Sequence, residues 1–329
     1  MREILEYLFT HHTLSKSEAK AIMIEIAQNK FNTAEVTAFI SVFLMRNITL
    51  NELEGFRQAL LKMAVSVDID ASDALDIVGT GGDGKNTINI STLASFVIAG
   101  AGQKVTKHGN YGASTITGSS NVLEELGYQF RNDSESLNRD LEKANICFLH
   151  APYFHPALQS VGALRKSLGL RTFFNLLGPL VNPAKPQFSV IGVYNLEIAR
   201  IYQYLLQKDN REFTIVHGLD GYDEISLTSD SKIITKSSEE IYTTKDLGFQ
   251  TLSPESIKAG QTPYESAKIF ISILEGKGTV EQNSVVLANA AVALYYTHKF
   301  GAYEDCLLLS KESLESGKAL RSLQLLVEG

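Results

Sequence analysis

The sequence predicts an α/β fold, with a small helical-bundle domain over residues 1–66 and a larger α/β domain over 70–329. The larger domain is expected to carry a central, mostly parallel sheet. Two observations predict this. Up to residue 66 the apolar residues recur only at helical spacing, behind helix-start signals. From Leu75 onward short β-rich runs alternate with helical stretches, which is the pattern of strands joined by crossover helices.

In the first segment, Ser15-x-x-Glu18, Asn32-x-x-Glu35 and Thr49-x-x-Glu52 match the capping box, and each precedes apolar residues at helical spacing. Ile40, Phe43 and Leu44 form one stripe; Leu53, Phe56, Leu60 and Leu61 form another. So many apolar faces in a short bundle leave one available for a dimer contact.

In the second segment, Leu75–Val78, Lys104–Lys107, Ile146–Leu149, Phe188–Val193 and Phe213–Val216 read as buried strands. Ser91–Ala101, Val122–Leu126 and Ile198–Leu206 read as helices between them. Thr262-Pro263-x-Glu265 starts a further helix, with proline at its first position.

Composition narrows the function. With 44% hydrophobic residues in 329 there is ample material for a packed core. The longest apolar run, Leu93 to Gly102, is too short to cross a bilayer. The start Met-Arg-Glu-Ile shows no signal-peptide pattern. Cys147 and Cys306 stand apart, without a disulfide framework, so a reducing cytoplasm is expected. A net charge of −7 opposes nucleic acid or an anionic membrane as the main partner.

The residues richest in chemistry run from Asp76 to Thr92. Gly79, Gly81, Gly82 and Gly84 follow an apolar run and precede a Ser/Thr-headed helix. Glycines at such a turn leave backbone N–H groups open to an anion, and the helix start adds its positive end. Three phosphate loops compete for these residues. The dinucleotide fingerprint needs an acid about 20 residues on, and no Asp or Glu occurs between Gly84 and Glu124. A P-loop needs Ser or Thr after Lys85, where this chain has Asn86. Phosphoribosyl binding fits better: Asn89, Ser91 and Thr92 supply neutral donors, and Asp83 can meet sugar hydroxyls or a metal-bound water. A glycine-rich turn without a ligand is the plain alternative.

Other constellations fall at predicted strand ends. Lys107-His108-Gly109-Asn110 follows the second strand, where a lysine can neutralise phosphate. Ser114 to Ser120 is small and polar, in keeping with a phosphate-covering loop or a plain surface one. Ala151 to Pro156 leads into a helix carrying Arg165, and arginine grips a carboxylate bidentately. Phe174 to Pro183 reads as a buried connection. Asp220, Asp223 and Glu224 crowd one strand end, where a hard divalent ion or plain solvation would relieve their repulsion. No His/Cys cluster suggests zinc.

Taken together, these motifs resemble the anthranilate phosphoribosyltransferase family of tryptophan biosynthesis. The resemblance rests on Gly-Thr-Gly-Gly-Asp at 79–83, Asn89-x-Ser91-Thr92, Lys107-His108-Gly109-Asn110 and Gly118-Ser119 ahead of Val122-Leu123-Glu124. It continues through His155-Pro156, Arg165, Leu168-Gly169-x-Arg171-Thr172 and Phe174-Asn175-Leu176-Leu177-Gly178-Pro179. It closes with His217-Gly218-x-Asp220-Gly221-x-Asp223-Glu224-Ile225-Ser226. The order and spacing agree from 76 to about 230, and the helical start fits as well.

The resemblance implies a cytoplasmic transferase that moves the phosphoribosyl group of phosphoribosyl pyrophosphate onto the amine of anthranilate, releasing pyrophosphate. It implies that Gly79, Gly81, Gly82, Asp83, Thr87, Asn89, Ser91, Thr92, Lys107 and Ser119 hold the phosphoribosyl donor. Gly79, Asn110, Pro152, His155, Arg165 and Gly178 would bind anthranilate. Ser91, Asp223 and Glu224 would hold Mg2+, two ions per site, and Lys107, Asp223 and Glu224 would stabilise the departing pyrophosphate. The family fold is a helical domain, joined by a helical segment near 155–180, hinged to an α/β domain and dimerised through the helical part. Anthranilate's amine is neutral near pH 7, so positioning outweighs acid–base chemistry.

Two positions depart from the commonest family pattern. Tyr111-Gly112 stands where many relatives have Arg-Ala, and Asn121 where Asp is common. Two rival readings remain open. A nucleoside phosphorylase of the same fold shares the Lys-His segment but lacks the Phe-Asn-Leu-Leu-Gly-Pro run and the Asp-Glu pair. A nucleic-acid-binding relative is opposed by the net charge.

Overall fold

The computed structural model describes residues 1–112 and 116–329, apart from the side chain of Ser160. The chain divides into two compact units, Met1–Ser66 with Ala151–Pro183, and Val67–His150 with Ala184–Gly329.

The first unit is helical. Its N-terminal part consists of helices Arg2–Phe9, Lys16–Ala27, Thr33–Met45 and Leu50–Met63. All three capping boxes form: Ser15, Asn32 and Thr49 each accept the third residue's N–H, and the matching Glu returns a bond. Glu52 goes further. Fully buried, it also accepts the Leu14 N–H at 2.9 Å and both arms of Arg46. Burial alone would raise its pKa, but the bonds from Arg46, Thr49 and Leu14 outweigh it and hold the carboxyl below its usual range.

Aromatic packing joins the second segment to the bundle. Phe173 stacks on Phe56 with ring centres 4.7 Å apart and meets Phe43 edge-on at 5.0 Å. Arg57 Nε donates to the Leu180 carbonyl at 3.2 Å, and the Val65 N–H donates to Phe154 O at 2.8 Å. The apolar run from Phe174 is buried at Phe174, Leu176, Leu177, Pro179, Leu180 and Val181.

The second unit is built on one seven-stranded sheet. Its strands are β1 (Leu75–Gly79), β2 (Val105–Gly109), β3 (Ile146–His150), β4 (Phe188–Gly192), β5 (Glu212–Gly218), β6 (Ser231–Ile234) and β7 (Glu239–Tyr242). They lie in the order β3-β2-β1-β4-β5-β6-β7. The first five run parallel, and β6 and β7 add an antiparallel hairpin at one edge. That hairpin has no counterpart in the sequence reading, because β7 is short and largely exposed and lacks the apolar run of a buried strand.

Helices Ile90–Gly100 and Val280–Tyr295 sit in the core. In the first, every residue from Leu93 to Ala99 is buried, so its apolar run is explained by packing on all sides. Among the described residues no helix is long and apolar enough to cross a membrane.

Candidate active site

The sheet order reverses between β1 and β4: from β1 the chain proceeds to β2 and β3 on one side, then returns to β4 and β5 on the other. In open α/β sheets ligands bind at the carboxyl ends of the strands at such a point. Register places Gly79 beside Gly192 there, each the last residue of its strand. Asp223, from the turn after β5, lies directly over both. A Cβ on Gly79 would overlap the Asp223 carboxylate, and one on Gly192 would overlap its carbonyl. Both positions therefore demand glycine by close approach.

Two carboxylates are anchored by main-chain donors from the glycine segment. The Gly81 N–H donates to Asp223 Oδ2 at 2.6 Å. The Ser91 N–H, in the first turn of helix Ile90–Gly100, donates to Glu224 Oε1 at 2.9 Å. Asn89 precedes that helix without capping it through its side chain; its amide donates instead to the Thr117 carbonyl at 3.2 Å. The positive helix end is thus turned to a carboxylate.

Burial raises the proton affinity of all three acids here. Asp223 is pushed up to about 7, first by burial and then by the charge of Asp83. Glu224 is raised well above its ordinary value by burial and by Asp223. Asp83 is raised by burial, against the bond its carboxylate accepts from the Lys85 N–H at 2.9 Å. Like charges this close hold protons unless a cation replaces them.

Among the described residues, no group of three or more His, Cys, Asp or Glu side chains is disposed to cage an ion alone. Asp223 and Glu224 nevertheless offer hard oxygen donors at one edge of a site. That suits Mg2+, which binds through one or two carboxylates and completes its shell with phosphate oxygens and water.

Lys107 lies under this site, 2% exposed, with Nζ donating to the Ile77 carbonyl at 2.6 Å. Burial lowers its pKa, while the charges of Asp76 and Glu224 oppose the shift. Asp76 is itself buried in β1 and accepts the His108 N–H at 3.2 Å.

The remaining residues implicated in holding the donor surround this centre. Gly81, Gly82 and Gly84 all adopt positive φ, which forms the turn after β1. Thr87 bridges Lys258, and Thr92 is buried in the first turn of helix Ile90–Gly100. The Asn110 carbonyl accepts Ser119 Oγ at 3.3 Å and the Ser120 N–H at 3.1 Å. Ser114 and Thr115, part of the small polar segment read as a phosphate-covering loop, lie outside the described residues.

Pro152, His155, Arg165 and Gly178 belong to the helical unit. His155 is buried with Nε2 donating to the Val181 carbonyl at 2.9 Å. Burial lowers its pKa to about 4 against that bond, so the ring is neutral. The Arg165 guanidinium lies 5.3 Å from the centre of the Phe174 ring, and burial lowers its pKa. The Pro152 carbonyl accepts Gln159 Nε2 at 3.2 Å, and Gly178 opens the turn Gly178–Leu180.

Of two further residues that position the site, Asp76 heads the chemistry-rich stretch but carried no role there, and Asn289 escaped the sequence reading. Asp76 interrupts the apolar run of β1, and Asn289 interrupts that of helix Val280–Tyr295. A lone polar residue in a buried run was the available signal.

The chain is 53% identical to the anthranilate phosphoribosyltransferase of Flavobacterium johnsoniae over 328 residues, covering 100% of this chain and 99% of that one. The chain belongs to the anthranilate phosphoribosyltransferase family. It is 50% identical to the anthranilate phosphoribosyltransferase of Bacteroides thetaiotaomicron over the same coverage. Residues 71–320 match the glycosyl transferase family a/b domain, and residues 2–64 match that family's helical bundle domain. Among solved structures, the anthranilate phosphoribosyltransferase of Thermus thermophilus superimposes with a TM-score of 0.90 at 30% identity, covering 98% of both chains. The anthranilate phosphoribosyltransferase from Saccharomyces cerevisiae in complex with PRPP and Mg gives 0.90 at 27% identity, covering 98% of this chain and 96% of that one. As the sequence predicts, the family fold is a helical bundle with an α/β domain on a mostly parallel sheet.

Proposed function

We propose that this chain performs its family's reaction, transfer of the phosphoribosyl group to the amine of anthranilate with release of pyrophosphate, using the residues described above. One observation carries the assignment of roles: Asp223 and Glu224 are presented at the strand switch point, fastened by Gly81 and Ser91 N–H groups of the glycine segment. A carboxylate pair held beside a phosphate-type turn is an arrangement for a metal-bound, polyanionic donor.

Asp223 and Glu224, with the Ser91 hydroxyl, would hold Mg2+, two ions per site in this reading. When bound, the metal would stabilise negative charge on the leaving pyrophosphate. The glycine turn 79–84, Thr87, Asn89, Thr92 and Ser119 would bind and orient the donor. Lys107, whose protonated form is opposed by burial and favoured by the charges of Asp76 and Glu224, would when protonated add positive charge to the same region. Pro152, His155, Arg165 and Gly178, with Gly79 and Asn110, would recognise anthranilate. Neutral His155 leaves Arg165 as the cation for its carboxylate. No general base is required, since the aromatic amine attacks as the free base.

A cytoplasmic homodimer through the helical unit completes this reading. Tyr7, Phe9, Leu44 and Met45 of that unit are exposed, Met45 by 88%. Large apolar side chains grouped on one small unit support a partner surface.

The decisive experiment follows the loss of anthranilate fluorescence with protein, phosphoribosyl pyrophosphate and Mg2+, omitting each in turn. Decay only in the full mixture supports the reading. A flat trace from folded protein overturns it and directs attention to phosphate with thymidine or uridine.

A further inference from the structure

We propose that Asn121 is a positioning residue for the phosphoribosyl donor, closing the neck of the loop that carries Asn110 and Ser119. The inference rests on the assignment of Ser119 to the donor. Asn121 Oδ1 accepts two main-chain N–H groups at once, from Gly112 at 3.0 Å and from Gly118 at 2.9 Å. These two residues flank the loop, one on each limb. An amide oxygen has two lone pairs, and both are used.

The limbs meet backbone to backbone. A Cβ on Gly118 would overlap the Gly112 nitrogen and approach the Asn110 carbonyl and Tyr111. The Ser120 N–H and Ser119 Oγ both donate to the Asn110 carbonyl, across the same neck. Two of the residues assigned to substrates are therefore placed by the closure itself. Asn89, at the head of the glycine-segment helix, ties the second limb through the Thr117 carbonyl.

An aromatic support lies behind the first limb. Tyr111 meets His150 edge-on at 5.0 Å, and His150 stacks on Phe130 at 4.0 Å. Ser120 Oγ lies 2.8 Å from His150 Nδ1. Burial lowers the His150 pKa to about 4, so this support stays neutral around pH 7.

The test compares Asn121→Ala and Asn121→Asp by KM for each substrate, kcat and Tm. The alanine variant loses both acceptor bonds, and its KM for phosphoribosyl pyrophosphate is expected to rise about tenfold or more, with a smaller rise, about threefold, in the anthranilate KM through Asn110. The aspartate variant keeps the acceptor oxygen and should return the donor KM to within about threefold of the parent. If the alanine variant is insoluble, Asn121→Ser is read the same way. An unchanged donor KM, or equal rises in both KM values with a fall in Tm, overturns the proposal. Ser119→Ala separates the two levels. If it raises the donor KM while Asn121→Ala does not, only the role of Asn121 fails. If neither variant moves it, the donor assignment of Ser119 fails as well.

Discussion

Asn289 grips Ile225 at both ends: its Oδ1 accepts the Ile225 N–H at 3.2 Å, and its Nδ2 donates to the Ile225 carbonyl at 2.8 Å. The same Nδ2 donates to Val285 O within its own helix. A core helix thereby pins the residue that directly follows Asp223 and Glu224. The carboxylates are thus held both by their own anchors and by this bond pair on the next residue.

Replacing Asn289 with Ala leaves the Ile225 N–H and carbonyl buried without these partners, at about 1–3 kcal/mol for each unsatisfied group. The variant should melt several degrees lower. Its Mg2+ concentration for half-maximal activity should rise about fivefold or more, because the pair is no longer held in register. A metal titration matching the parent would remove Asn289 from the positioning role.

Gly79→Ala tests the close approach beneath Asp223. The new methyl group would displace the carboxylate and break its bond from Gly81. Loss of a preorganised group of this kind is expected to lower kcat/KM about 100-fold, equivalent to about 2.7 kcal/mol. The fold should persist, since a side chain rather than backbone gives way at that point. Steady-state rates alongside circular dichroism separate these effects; near-parental kcat/KM would contradict the geometry.

The buried acids predict a pH dependence. Asp83, Asp223 and Glu224 all have folded-state pKa values raised above their ordinary ones, Asp223 to about 7. Between pH 4 and 7 these three groups bind more protons in the metal-free folded state than in the unfolded chain, so their contribution to stability falls as pH rises through that window. The contribution is fully present below the ordinary carboxyl range and lost above the raised pKa. Metal competes with those protons, so the gain in Tm on adding Mg2+ should be larger at pH 8 than at pH 6. Asp223→Asn should flatten the metal-free profile. A variant profile superimposable on the parent's would refute the assignment.

Arg165→Ala should weaken anthranilate use more than donor use. Arg165 is held over Phe174 and partly desolvated, a setting that strengthens a bond to a carboxylate. Its removal is expected to raise the anthranilate KM about tenfold or more, while the donor KM changes less than about threefold. Arg165→Lys should recover little, because the flat, bidentate fork is absent. Equal changes in both KM values would argue against the role.

Much of the architecture was written locally. The capping boxes at Ser15, Asn32 and Thr49, and the helix start at Thr262, are patterns within four residues, and all four form. The strands that became β1, β3, β4 and β5 are mostly apolar and largely buried runs, legible because parallel strands lack a solvent-facing polar side. Strand β2 is buried as well but carries Thr106, Lys107 and His108. The glycine segment and the Asp223–Glu224 pair were visible as chemistry at strand ends.

What joins them was decided in three dimensions. Gly79 and Gly192 become neighbours only through the order and register of β1 and β4. Asp223 reaches the Gly81 N–H across 142 positions of chain, and Asn289 reaches Ile225 across 64. The sequence read Lys107 as a cation for phosphate; the packing of β2 against β1 sets it against the Ile77 carbonyl and near Asp76. Local pattern determines which residues form elements, because propensity and capping act within a turn or two. Which carboxylate meets which amide depends on strand order, and that follows from how the whole chain buries its apolar surface.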